Sequence, residues 1–174
     1  MISTDDIRLS EVLRYLRPDV GFALNGSIIT IWESDSPPPT APEIDAARLI
    51  LRRNRLHAAR RAARTNAETG GFVFADHAVD SDRDSILRIG NAATTALTAS
   101  ISQAPFATVW TCADEYQMEL DAAGVMALQA ALSAHGIACH LRSQELKALI
   151  DAPDADLDAV GLLIDTGWPL GSTT

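Results

Sequence analysis

"GGFVFADHAVDSDRDSI", residues 70–86, gathers four aspartates and a histidine at the point where the apolar period changes. Before Asp80 the apolar and polar residues alternate and the apolar ones are aromatic or β-branched, which predicts a short strand with a turn. From Ser81 onward Ile86, Leu87, Ile89, Ala93 and Leu97 recur at three- and four-residue spacing, so a helix with one apolar face follows. Asp80, Asp82 and Asp84 alternate as the first three ligands of a calcium loop do. That loop, however, needs glycine at its sixth position and glutamate at its twelfth, and Ser85 and Asn91 stand there. A capping box of Ser81 with Asp84, with acids facing the positive end of the helix dipole, accounts for the same residues. The stretch is therefore expected to be a strand-to-helix junction. A metal-dependent hydrolase centred on Asp76, His77, Asp80 and Asp82 is the least favoured reading.

Upstream, Gly70-Gly71 ends a long helix that begins near Thr40, where Thr40 and Glu43 have capping-box spacing and Pro42 fits the first turn. Seven arginines against two acids give the stretch from Glu43 to Asn66 a local charge of +5 in a chain of −9. Leu49, Leu56 and Ala63 repeat at seven, as do Ile44, Leu51 and Ala58, so apolar rows run beside the basic ones. This helix is expected to be an oligomerisation and docking element. Its partner-binding residues would be Arg48, Arg52, Arg53, Arg55, Arg60, Arg61 and Arg64, together with Trp32. The helix is preceded by "SDSPPPTAPE" (34–43), where four prolines in six residues favour a stiff extended spacer. Before that, Asn25-Gly26 between two apolar runs predicts a hairpin with a type I′ turn.

Downstream, "FATVWTC" and "YQMEL" flank a turn near Ala113-Asp114-Glu115 and predict another hairpin. Asp121 is placed to cap a third helix, Gly136 to separate it from a fourth, and Pro153 to precede a last short helix ending at Gly167, Trp168 and Pro169. The resulting expectation is an α+β fold. A hairpin arm occupies 1–36, a proline linker and long arginine-rich helix 37–69, and small antiparallel hairpins with a helical C-terminal part 70–170.

The totals exclude several classes. An acidic balance argues against nucleic-acid binding through phosphates. No run approaches about 20 consecutive apolar residues, and the first residues carry acids where a secretion signal needs bases, so no membrane partner and synthesis in a cytoplasm are expected. Two cysteines, Cys112 and Cys139, do not make a disulfide framework. With His135 and His140 they supply zinc-ligand types at no standard spacing, and buried thiols are the simpler reading. No nucleophile elbow, phosphate loop or dinucleotide fingerprint is present in the sequence, so neither a catalyst nor a cofactor is expected.

The order "GGFVFADHAVDSDRDSILRIGNA", "VWTCADEYQMELDAAGVMALQAALSAHG", "CHLRSQELKALIDA" and a closing "GWP" resembles a domain of unknown function common at the C-terminal end of tailed-phage and prophage tail proteins. The resemblance covers about residues 70–169. Phe72, Asp82, Ser85, Trp110, Leu120, Leu128, His135, Leu146 and Trp168 stand at its motif positions, and it implies fold-forming roles for them. It further implies a non-enzymatic structural part of the virion tail, in the baseplate or tail-fibre region. Such a part would be made in the bacterial host cytoplasm and would contact other tail proteins and copies of itself, with a trimer expected by analogy. A tail-fibre assembly chaperone is the runner-up.

Overall fold

The computed structural model describes residues 7–169. In chain order these form α1 (Leu9–Leu16), β1 (Gly21–Asn25), β2 (Ile28–Glu33), α2 (Ala41–Thr69), β3 (Phe72–Phe74), β4 (His77–Val79), α3 (Arg83–Ile101), β5 (Ala107–Thr111), β6 (Gln117–Asp121), α4 (Ala122–Asp151) and α5 (Leu157–Leu163). The fold class is α+β. The strands pair only with their sequence neighbours, as three antiparallel two-stranded sheets among the described residues. Two compact units result. Among the described residues, one is built from 7–59 with Lys147–Ile164, the other from Arg60–Leu146 with 165–169.

In the first unit the sequence reading missed a helix. Val12 and Leu13 in α1 are fully buried, and Leu9, Val12, Leu13 and Leu16 carry the three-and-four spacing that marks such a face. The Glu11 carboxylate accepts from the Arg8 backbone N–H at 3.2 Å, closing the first turn. The hairpin β1–β2 forms as expected, but its turn is Gly26-Ser27 and only Gly26 has positive φ, at 60°. A type I′ turn needs positive φ at both central residues, so the glycine-first geometry of type II′ replaces it. Ala23 pairs with Ile31 and Leu24 with Ile29, leaving Thr30 in a bulge. The bulge explains why Ile29 and Trp32, three residues apart, are half-buried while Ile28 and Ile31 are exposed. Strict alternation would not give that pattern.

The second unit holds one apolar cluster: Phe72, Val79, Ile89, Ala96, Cys112, Leu120, Val125 and Leu128, with Phe106, Trp110 and Met118 packed against it. Its hairpins are joined edge to turn, since the Ala113 N–H donates to the Ala78 carbonyl at 2.7 Å. β3 and β4 turn through Ala75 and Asp76, with φ of 49° and 64°, the left-handed pair that a type I′ turn requires.

The third and fourth helices expected around Gly136 are one helix, α4, of 30 residues. Val125, Leu128, His135, Cys139, Ser143, Leu146 and Ile150 are buried in sequence along it, so the inward row runs through the glycine without a phase break. Burial of that row outweighs the roughly 1 kcal/mol that glycine costs in a helix interior. By length and apolar composition α4 could also cross a membrane, a stretch the residue-by-residue hydropathy reading passed over. Here its inward row supplies core residues. A Cβ at Gly136 would meet nothing within 4 Å. Gly136→Ala is therefore expected to stabilise the chain by about 0.5–1 kcal/mol in urea denaturation; a loss would mean that the helix breaks there.

Candidate functional site

The capping geometry of α2 agrees with the sequence at its start: Glu43 accepts from the Thr40 backbone N–H and from its hydroxyl, each at 2.7 Å. The helix runs to Thr69 and stops at the expected Gly70-Gly71 pair. Its last carbonyls are buried donors' targets, which the sequence did not reveal. Ser81 Oγ donates to the Glu68 carbonyl at 2.6 Å and accepts from the Gly71 N–H at 2.8 Å, while His135 Nε2–H donates to the Ala67 carbonyl at 3.0 Å. Two orphan groups at a helix end are thus satisfied from distant parts of the chain.

Ser81 is therefore not the cap of α3, which corrects the expected Ser81/Asp84 box. Asp82 caps it: one carboxylate oxygen accepts from the Asp84 and Ser85 N–H groups at 2.8 and 3.0 Å, and the other from the Ser85 hydroxyl at 2.8 Å. The physical reason is burial, because Ser81 is fully enclosed by the end of α2. The Ser85 hydrogen bonds hold the Asp82 carboxyl below its ordinary range. His77 turns elsewhere, its Nδ1–H donating to Asp114 at 2.9 Å while its ring stacks on Tyr116 at 3.7 Å between centroids. Among the described residues no three His, Cys, Asp or Glu side chains converge to share an ion.

The zinc-type residues are similarly dispersed. Cys112 lies in the apolar cluster, Cys139 is fully buried one turn from His135, and His140 is exposed beside Arg64 and Gln144. Burial is the main cause raising both thiols above their usual range, so neither is poised as a nucleophile. A shallow depression of about 450 Å³ is lined by Ala107, Glu119, Leu120, Asp121 and Gly124; within it Asp121 already accepts from the Gly124 N–H at 2.7 Å.

The arginines of α2 serve mostly within the chain. Arg55 reaches both oxygens of Glu11 at 2.7 Å, Arg52 pairs with Asp158, and Arg53 donates to the Ala152 carbonyl at 2.9 Å. Arg60 is 9% exposed and donates to the Ser143 carbonyl at 3.1 Å and to its hydroxyl. Arg64 donates to Glu68 at 2.7 Å. Arg48 meets Asp45 at the long distance of 3.5 Å, and Arg61 is exposed. Trp32 is half-buried, its Nε1–H donating to the Ser36 carbonyl at 2.7 Å. Past residue 150 the chain has five aspartates and no base, and this acidic stretch is partly an internal counter-charge: Asp158 meets Arg52, and Asp151 meets His57 at 2.9 Å and also Lys147.

The motif residues occupy fold-forming positions. Phe72, Ser85, Leu120, Leu128, His135 and Leu146 are buried, Trp110 packs on the cluster, and Asp82 caps α3. The closing "GWP" is approached by Arg142, which donates to the Thr166 carbonyl through Nε and Nη2 at 3.2 and 3.0 Å. A Cβ at Gly167, where φ is 70°, would stand 3.2 Å from that guanidinium.

A family model described as "Domain of unknown function (DUF4376)" matches residues 51–163, more than half of the chain. The chain belongs to the DUF4376 family. The DUF4376 match begins inside α2, so it includes Arg52 to Arg64 as well as the hairpins and α4, and it starts earlier than the segment expected from motif order. The chain matches no curated protein and no solved structure.

Five carboxylates share one direction of shift. The leading causes are the Arg55 hydrogen bond for Glu11, the Thr40 N–H for Glu43, Ser85 for Asp82, His77 for Asp114 and Lys147 for Asp151. A carboxyl lowered on folding adds stability above its unfolded value and loses it as pH falls through the folded one. The melting temperature is therefore expected to fall steadily as pH drops below the ordinary values of 4.5 for Glu and 3.8 for Asp. Circular-dichroism melts checking this should show no such slope between pH 6 and 5 (roughly).

Proposed function

We propose that the chain is a non-enzymatic structural component of a phage tail, in the baseplate or tail-fibre region, working through contacts with other tail proteins and with itself. The observation that carries this reading is the uncovered apolar surface. Eighteen large apolar side chains among the described residues remain exposed, against fourteen that are buried. Single exposed apolar residues are ordinary, but rows of them on a chain this size mark surfaces that other proteins cover. Ile28 and Ile31 form one such group on β2, and Ile86, Leu97 and Ile101 another on α3.

The motif order given above supports the tail assignment. A net charge of −9 disfavours a role on nucleic acid. Of the α2 arginines, Arg48 and Arg61 are those best placed for a partner, because the others anchor the fold. The hydrolase reading has little left, since the Asp82 oxygens are taken by α3 and the His77 Nδ1–H by Asp114.

Quantitative mass spectrometry of purified particles tests the proposal. Fixed stoichiometry with baseplate or fibre proteins is the expected result. Presence in the infected cell but absence from particles would overturn it in favour of an assembly chaperone.

A further inference from the structure

We propose that the outward face of α3 is a two-fold contact with a second copy of this chain, the two helices running antiparallel. This inference is independent of the tail reading. On a 3.6-residue helix Ile86, Gly90, Leu97 and Ile101 fall in one row, with Thr94 at one margin and, at the other, the half-buried Ala93, which also packs on the chain's own apolar cluster. The row is separate from the inward Ser85, Ile89 and Ala96. Ile86, Leu97 and Ile101 are 41%, 51% and 77% exposed. Thr94 turns its hydroxyl onto the Gly90 carbonyl at 2.9 Å, which leaves its methyl group outward. A Cβ at Gly90 would meet nothing within 4 Å, so nothing within the chain's own fold calls for glycine there.

Charge selects the occupant. From Ile89 to Ala113 there is no Asp, Glu, Lys, Arg or His, so two copies of an acidic protein can meet on this face without opposing like charges. The order of sizes along the row, large at 86, small at 90 and 93, large at 97, reads the same in both directions, so two antiparallel copies can set small against small and large against large. Gly90 then lies against Ala93 of the copy and Ile86 against its Leu97, each contact occurring twice as a two-fold axis requires. The same register brings Arg83 to the carbonyl end of the copy's α3. That end carries no basic residue in its last turn, and a cation is favourable there because the helix dipole is negative. Arg83 is exposed and has no ion pair among the described residues. A parallel or three-fold arrangement would bring Arg83 side chains together instead.

One row of a single helix is expected to bury less than the roughly 800 Å² per partner of a standard interface, so sedimentation velocity of the full chain should span about 5 to 500 µM. The mass is expected to rise from 18.6 kDa toward twice that value. Leu97→Glu and Arg83→Glu should each weaken the association about tenfold or more, with the melting temperature of the dilute chain unchanged. Gly90→Leu should block association while keeping or raising that temperature, which separates loss of contact from loss of fold. Because Cys112 and Cys139 are buried, thiols introduced by Ile86→Cys and Leu97→Cys are the accessible ones. Mixed chains should cross-link 86 to 97 in preference to 86 to 86 or 97 to 97. A chain monomeric over the whole range, association indifferent to Leu97→Glu, or dominant like-to-like cross-links would each overturn the proposal.

Discussion

Ser81→Ala is expected to lower the stability of the fold by about 2–4 kcal/mol, out of proportion to the single oxygen removed. The hydroxyl is fully buried and serves two backbone groups at once, the Glu68 carbonyl and the Gly71 N–H. Alanine leaves both without a partner in a site closed to water, and each buried unsatisfied group costs about 1–3 kcal/mol. Ser81→Cys, which keeps a weak donor and acceptor, should recover part of the loss. Urea titration with fluorescence of the three tryptophans as the signal measures both. A cost of only about 0.5 kcal/mol, the size of an ordinary surface substitution, would mean that water reaches the end of α2 and that the junction is looser than described.

Arg60 and Arg61 are adjacent in the sequence and are expected to behave oppositely. Arg60→Ala removes a buried guanidinium that holds the Ser143 carbonyl and hydroxyl, and it also leaves a void along α2. Hydrogen bonds from a charged donor contribute about 1.5–3 kcal/mol, and the lost packing of the aliphatic stem adds to that, so a cost of about 3 kcal/mol is expected. Arg61→Ala changes an exposed side chain and should stay within about 0.5 kcal/mol. If both variants unfold at the same denaturant concentration as the parent chain, Arg60 is not the anchor described and the arginines of α2 return to being one equivalent surface.

These two substitutions also mark the limit of reading charge from a sequence. The run of arginines is visible as a basic helix, and its rows at seven-residue spacing are real, but the side on which each guanidinium lies depends on the partner helix. Leu56 and Arg60, four apart, share the buried side, and no local pattern distinguishes Arg60 from Arg61. The acidic stretch past residue 150 was the available signal: five acids without a base are a natural counter-charge to such a helix, and Asp151 and Asp158 are used in that way.

Elsewhere local chemistry was sufficient. The hairpins, the start of α2 at Thr40 and the cap of α4 by Asp121 rest on interactions between residues at most a few positions apart. Such contacts are specified by the same short stretch that makes them. Where the sequence reading went astray, one choice was nearly balanced locally and a distant contact tipped it. Gly136 costs the helix about 1 kcal/mol and burial of the row from Val125 to Ile150 overrules it. Ser81 and Asp82 are both competent caps, and the assignment fell to Asp82 because Ser81 was claimed by the end of α2.

The amino-acid order alone determined that the chain alternates small hairpins with helices, that the acidic stretch near Asp82 begins a helix, and that the molecule is acidic with one basic helix. Only the packed structure decided which polar side chains are internal fastenings and which apolar ones remain uncovered. Short-range hydrogen bonds and turn angles are encoded within a few residues, whereas burial is a property of what arrives from elsewhere in the chain.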